Sequence, residues 1–317
     1  MKGLSSSMGT GSEEERYVIG IDGGGSKTAC VVMRYDRQIV GRGAGGPINT
    51  NFVDPETAKQ SIESAVREAL SKAGCKESQI DAVCIGGPSD RHLVEEHLSH
   101  ILPGVRVMVA GEFEVCRAIA GSPEVCVVVV AGTGSAAIGR NANGETASAG
   151  GWGALFGDEG SGYDIGRKAL IACAKAEDGR GEPTILTDLI TSHLFLARFP
   201  DIINWAYRNG NRNRRDIAGL APLVTQAAAL GDRVARRILD DAAGELIDAV
   251  RSVVRRLCIT DVPFDVIACG GMFRSGEIFT GPFRERLKSE FTSASLIVPE
   301  MGPEVGAALL ALEHVGC

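Results

Sequence analysis

No run in the 317 residues approaches the roughly 18 consecutive apolar positions of a membrane-spanning helix, so a helical span is not expected. Positive charge is not in excess either: 33 basic against 40 acidic side chains give a net charge of −7, leaving no global field to gather nucleic acid or an anionic bilayer. Close-spaced cysteines are also lacking. The nine cysteines are an odd number, scattered and without a CxxC pair, which argues against a disulfide framework and against a zinc or cluster site. Most of them sit in apolar runs such as VCVVVV and IACGG, as small buried hydrophobes in a reducing compartment. The first 16 residues contain no apolar segment of the secretory type and are read as a flexible tail, so a cytoplasmic protein is expected. With 44% hydrophobic and 23% charged residues, the composition excludes a disordered or fibrous chain.

Glycine is what the chain has in plenty: 41 residues, about 13% against a usual ~7%. Such a density implies many tight turns and loops where backbone can approach a ligand. Tyr17–Ile21, Thr28–Tyr35 and Gln38–Gly43 read as three β-segments around short turns. Asp54 before Pro55 is a helix start, and the spacing of Ile62, Val66, Ala69 and Leu70 carries a helix over about 55–73, until Gly74. Strand Ile80–Ile85, a helix over 90–101, strand Val105–Val109, a helix over 113–121 and strand Val125–Ala131 follow. This alternation predicts an α/β protein with a mainly parallel, doubly covered sheet.

VIGIDGGGS (Val18–Ser26) resembles VVVVAGTGS (Val127–Ser135) at an offset of 109 residues, so the chain is read as two copies of one unit. After the second copy come a glycine-rich loop (Gly150–Gly162), a helix over 161–176 and a largely helical stretch over 184–257. Strand Phe264–Cys269, a helix within 282–291, strand Ser295–Val298 and helix Pro303–His314 close the sequence. The expected organisation is one lobe over 17–122 and a second over 123–302 with the helical stretch inserted. The C-terminal helix of 303–317 is expected to pack back on the first lobe, and the ligand to lie in the cleft between lobes, where glycine turns end the strands.

The segment Gly20–Thr28 invites comparison with a P-loop, but Ser26 stands directly before Lys27 where that motif needs glycine, and a β-segment follows instead of a helix. Phosphate would instead meet turn amides and hydroxyls from Gly23, Gly24, Gly25, Ser26, Lys27 and Thr28, with the Asp22 carboxylate able to hold water around Mg²⁺. Taken alone this could be a hairpin turn. The second copy, Gly132, Thr133, Gly134 and Ser135, makes the pair read as two jaws on a polyphosphate. Gly41–Gly46 matches GxGxxG, but Pro47 follows and no helix opens, so it is read as a loop.

In the loop Ala149–Ser161, Trp152 stands among glycines that supply no packing, including Gly151, and its indole suits the apolar face of a sugar ring or a base. Asp158 and Glu159 precede Gly160 and Ser161 at a helix start, which is also compatible with a plain capped helix. Gly270 and Gly271 close a buried strand and permit close approach of something flat such as adenine, or simply a strand–helix turn. Arg208, Arg212, Arg214 and Arg215, interleaved with Asn209, Asn211 and Asn213, read as an exposed connection, with an anion or partner site as the alternative.

Taken together, IDGGGSKT, AGTGS, GGWGALFGDEGS and IACGG resemble, in order, the motifs of the N-acetylglucosamine kinase family. That family lies in the BadF/BadG/BcrA/BcrD-type ATPase group of the actin-like sugar kinase superfamily. The resemblance runs from about Tyr17 to Leu312. It implies two actin-like, ribonuclease H-like lobes, ATP with Mg²⁺, a homodimer, and sugar contacts from Asn51 (or Asn49), Trp152 and Asp158. The family's catalytic aspartate falls about 20 residues before the GTGS turn. Here the stretch is Val109–Glu114, so Glu112 takes the position, with Glu114 as the second choice. A glutamate can act as a general base, although its extra methylene displaces the carboxylate by about an ångström or more. The expected activity is phosphoryl transfer from ATP to a hydroxyl of N-acetylglucosamine or glucosamine, at C6. The glutamate keeps a nucleotide-binding switch or sugar sensor as the alternative. An activator ATPase with an iron–sulfur cluster is the other, and no cysteine pattern here obviously supplies the cluster.

Overall fold

The computed structural model describes residues 15–316 apart from 26, 52, 89, 122–123 and 208–213. The chain divides into two compact units, Met1–Val115 with Pro303–Cys317, and Cys116–Gly302.

In the first unit β1 (Tyr17–Gly23), β2 (Thr28–Arg34) and β3 (Ile39–Gly45) form an antiparallel meander. α1 (Pro55–Ala73) leads to β4 (Ile80–Gly86), α2 (Arg91–Ile101) to β5 (Arg106–Ala110), and α3 (Glu112–Ala120) follows. β4 lies parallel to β1 and β5 parallel to β4, giving the order β3-β2-β1-β4-β5. The helix start read from Asp54 is present in detail: its carboxylate accepts the Thr57 N–H at 3.0 Å, and Gly74 closes the other end at φ +67°.

GRGAGG is part of strand β3 through Gly45, which corrects its reading as a loop. The reason is its period of two. A Cβ at Gly41, Gly43 or Gly45 would lie 2.2, 2.0 or 2.0 Å from the carbonyl oxygens of Ala69, Ala65 and Ser61, so alternate glycines let α1 rest on the strand's backbone. Ile62, Val66 and Leu70 are buried in the same packing, at about 1.5–3 kcal/mol each as an upper estimate.

In the second unit β6 (Cys126–Ala131), β7 (Ser135–Arg140) and β8 (Thr146–Gly150) repeat the antiparallel meander. α4 (Gly162–Glu177), α5 (Leu186–His193), α6 (Ile202–Tyr207), α7 (Arg214–Ala218), α8 (Ala221–Ala229) and α9 (Arg233–Arg256) make up the helical stretch. β9 (Phe264–Cys269), α10 (Glu277–Glu290) and β10 (Ala294–Ile297) complete the unit, with β9 parallel to β6 and β10 parallel to β9. The order β10-β9-β6-β7-β8 is the first sheet's order written backwards, so the repeated sequences Val18–Ser26 and Val127–Ser135 start from the central strand of each sheet. These are two actin-like lobes.

α9 buries an unbroken apolar stripe from Val234 to Val254. Its cap Asp232 accepts N–H bonds from Ala235 and Ile185, both at 2.8 Å, and so ties α5 to α9. α10 begins five residues before Pro282 and contains it, a correction to the expected start at 282. Its buried Phe279 and Phe283 meet Phe273 edge-on at centroid distances of 5.4 and 5.0 Å, and this packing outweighs the one missing backbone N–H.

α11 (Pro303–His314) returns to the first unit and packs on β1. Gly20 makes this possible: a Cβ there would stand 2.0 Å from the Glu304 carbonyl oxygen and 2.3 Å from the Ala308 nitrogen. The Arg42–Glu304 ion pair at 3.2 Å and the bond from Arg106 to the His314 carbonyl at 3.2 Å hold the helix at both ends. The division between units falls inside α3 instead of after residue 122. No described helix is long and apolar enough to cross a membrane.

Candidate functional site

In the first unit the candidate residues gather at the carboxyl ends of parallel strands. Asp22 is in register with Gly86 of β4, and Gly86 with Ala110 of β5. Glu112 opens α3 two residues later. Two strand spacings of about 4.8 Å therefore separate the lines that carry the two carboxylates.

Glu112 keeps contact with solvent, yet protein crowded around its carboxyl desolvates it and pushes its pKa above the ordinary carboxylate range; the negative charge of Asp22 acts in the same direction.

The turn between β1 and β2 is closed by a bond from the Gly24 N–H to the Lys27 carbonyl at 3.1 Å, while Gly24, Gly25 and Lys27 stay exposed. Ser26 lies outside the described residues. Gly23 is a packing position, because a Cβ there would stand 2.0 Å from Ile48 Cδ1. Thr28 is fully buried, and its hydroxyl donates to the Gly46 carbonyl at 2.8 Å. The Ile48 N–H donates to the Gly24 carbonyl at 3.0 Å, so the segment that carries Asn49 and Asn51 is sewn onto the turn. Asn49 accepts the Asn51 N–H through its side chain at 3.0 Å, a local turn that leaves Asn51 exposed.

The second unit holds the other half of the candidates. The Gly132–Ser135 turn is mounted on α4: the N–H groups of Gly162 and Tyr163 donate to the carbonyls of Gly132 (2.8 Å) and Thr133 (3.4 Å). Gly270 and Gly271 end β9 beside it, and the Met272 N–H reaches the Ala131 carbonyl at 3.0 Å. Gly270, at φ +106°, packs its Cα against the end of β6, where a Cβ would lie 2.3 Å from the Ala131 oxygen. Ser135 is buried, with its hydroxyl donated to the Glu159 carbonyl at 2.6 Å.

Asp158 is only 3% exposed and takes φ +64°, a strained conformation for a residue with a side chain. One carboxylate oxygen accepts the Ser135 N–H at 3.2 Å and the other pairs with Arg214. Gly151 leads out of β8 at φ +74°, its N–H donated to the Ser135 carbonyl at 2.9 Å. Beyond it Trp152, Leu155 and Phe156 are 76, 85 and 78% exposed, an apolar rim.

The sequence singles out Trp152 but gives no sign of Leu155 and Phe156 beside it, nor of Arg214 on Asp158. That partner lies 56 residues away, and only the polar run around it carries any signal. Among the described residues no three histidine, cysteine or acidic side chains form a metal cage.

Residues 19–311 match the model of the BadF/BadG/BcrA/BcrD ATPase family. An N-acetylmuramic acid/N-acetylglucosamine kinase of Clostridium acetobutylicum is 35% identical over 301 residues, covering 93% of this chain and 98% of that protein. An N-acetyl-D-glucosamine kinase of Dictyostelium discoideum is 31% identical over 310 residues, covering 93 and 97%. Among solved structures, a candidate N-acetylglucosamine kinase of Chromobacterium violaceum superposes with a TM-score of 0.74 at 26% identity, over 94% of this chain and 99% of that one.

Proposed function

The chain belongs to the BadF/BadG/BcrA/BcrD ATPase family, and from that premise we propose that it is an ATP-dependent kinase of amino sugars, phosphorylating N-acetylglucosamine or a close relative at C6. The observation that carries the reading lies within one unit: a glycine turn suited to phosphate shares its residue Ser135 with a loop that buries a carboxylate and exposes an indole. We read these two features as a phosphate site and a sugar site side by side.

In this reading the backbone N–H groups at Gly25 and Lys27, the Lys27 ammonium and the Gly132–Gly134 turn take the phosphates, while the Gly24 N–H closes its turn on the Lys27 carbonyl. Thr28 and Ser135 shape those turns through hydroxyls already engaged. Gly271 leaves room for the adenine, while the space beside Gly270 is taken by the end of β6, so that glycine is a packing position. The Trp152 indole stacks on the sugar's apolar face, Asn51 and Asp158 accept its hydroxyls, and Asn49 holds the Asn51 loop.

Glu112 accepts the proton of the attacking hydroxyl as the new P–O bond forms and the bond to ADP breaks, and its raised pKa makes it a stronger base than an ordinary carboxylate. Mg²⁺ fits the donor set, since it needs few protein ligands beside phosphate and water; Asp22 would hold it through water, and it would neutralise phosphate charge when bound with ATP.

Phosphorus NMR of the product formed from ATP and N-acetylglucosamine tests the assignment. A phosphorus resonance coupled to two methylene protons is the expected 6-phosphate. Coupling to a single ring proton rejects C6, and the absence of any sugar phosphate rejects the reading. The glutamate at position 112 favours one second reading, a nucleotide-gated sugar sensor with slow turnover.

A further inference from the structure

Arg214 has no role in the account so far, yet three observations converge on it. The first is bracing. α7, which it opens, lies directly on α4: a Cβ at Gly166 would stand 2.0 Å from the Ile217 carbonyl oxygen. α4 is also the helix on which the Gly132–Ser135 turn is mounted, so the arginine and the turn share one rigid support.

The second is position. The guanidinium pairs with the buried Asp158, and its terminal nitrogen lies 2.8 Å from where a Cβ of Gly134 would be. Asp158 comes as close to the same point, at 2.7 Å. A bare carboxylate there would repel polyphosphate at the turn, so a cation between them balances the charge.

The third is unfinished bonding. Arg214 Nε is buried with no hydrogen-bond partner among the described residues, while 34% of the side chain faces solvent. A guanidinium offers five N–H donors in a planar fork that matches phosphoryl oxygens.

We propose that Arg214 is a catalytic residue: its guanidinium binds the oxygens of the phosphoryl group as that group passes from a nucleotide at the Gly132–Ser135 turn to a sugar held at Asp158. The inference rests on the kinase reading above. The sugar oxygen forms its bond to the γ-phosphorus while the bond to the ADP oxygen breaks, and Arg214 neither gains nor loses a proton. Its contribution is charge, held in place on the Gly166 contact.

The test uses the full chain with Arg214→Ala, Arg214→Lys and the neighbouring exposed Arg215→Ala as control. Arg214→Lys keeps a cation for Asp158 and guards against simple misfolding. The expected result is a loss of kcat on the order of 10³-fold in Arg214→Ala, less in Arg214→Lys and none in Arg215→Ala, with partial rescue of Arg214→Ala by added guanidinium ion. ADP binding is measured with and without aluminium fluoride in parallel, without sugar. The wild type should prefer the fluoroaluminate complex, and Arg214→Ala should lose that preference.

A kcat within about twofold of wild type, or a loss of kcat that guanidinium does not rescue, overturns the proposal. If no sugar is phosphorylated by the wild type, the kinase reading fails by itself. The fluoroaluminate comparison then still decides: a preference retained in Arg214→Ala overturns the role, and a preference lost supports it.

Discussion

Replacing Asp158 separates the two jobs that the structure gives it. Asp158→Asn keeps an oxygen for the Ser135 N–H and suits φ +64°, because asparagine tolerates the left-handed region. Its NH₂ group takes the place of the second carboxylate oxygen and cannot accept from Arg214, so the charge-assisted bond to the guanidinium is lost. A charge-assisted hydrogen bond is worth about 1.5–3 kcal/mol when desolvated. Because the arginine is a third exposed and can turn to water, the cost should be nearer 1 kcal/mol.

Asp158→Ala adds two further losses. The buried Ser135 N–H is left without a partner, at about 1–3 kcal/mol, and a residue that resists positive φ must hold it, at about 1–2 kcal/mol. The alanine variant should therefore be about 3–6 kcal/mol less stable than wild type, and the asparagine variant about 1. Urea unfolding of the three proteins, followed by far-UV circular dichroism, measures the difference. Equal destabilisation by the two substitutions would refute the reasoning, because it would leave neither the amide bond nor the backbone conformation any weight. Both variants should bind sugar more weakly, by KM, while their affinity for ADP stays close to wild type.

Glu112→Gln should lower kcat by about 10²–10⁴-fold. It should also raise the melting temperature at neutral pH: a carboxyl whose folded pKa is raised contributes stability at low pH that is lost as pH rises through that pKa, so the gain should vanish on acidification below the ordinary glutamate range. An unchanged melting difference across pH would contradict this. Trp152→Ala should raise the sugar KM with little effect on thermal unfolding, since the indole is 76% exposed; a loss of stability would mean that it packs. Thr28→Val should cost about 1–3 kcal/mol by leaving the Gly46 carbonyl unpaired and should barely alter ATP affinity, which calorimetric titration would show. Gly20→Ala drives a methyl into the backbone of α11 and should destabilise by about 1–3 kcal/mol or more, and protease resistance near residue 303 should fall with it.

The repeat at Val18 and Val127 was enough to foresee two similar units, because a central buried strand must be apolar throughout and must end in a turn. What escaped the sequence has physical causes. β8 is Thr-Ala-Ser-Ala-Gly, small residues with no β-branched run to announce a strand, and it forms because β7 offers it a hydrogen-bonding edge. The start of α10 was hidden by Pro282, whose local penalty is overridden by phenylalanine packing. In the candidate site, the residue types of Thr28 and Ser135 were legible but their direction was not; both hydroxyls turn into the protein to close loops. Arg214 was one of several arginines in a polar run. What distinguishes it is a contact made 56 residues away, through a helix too short to announce itself by periodicity.

The central claim is best tested by initial rates of ADP release from ATP and Mg²⁺ with N-acetylglucosamine, glucosamine, N-acetylmuramic acid, glucose or no sugar. Saturable stimulation by an acetylated amino sugar, well above the rates with glucose and with no sugar, is the predicted result. ADP release at one rate in all five conditions, with ATP bound, would contradict it.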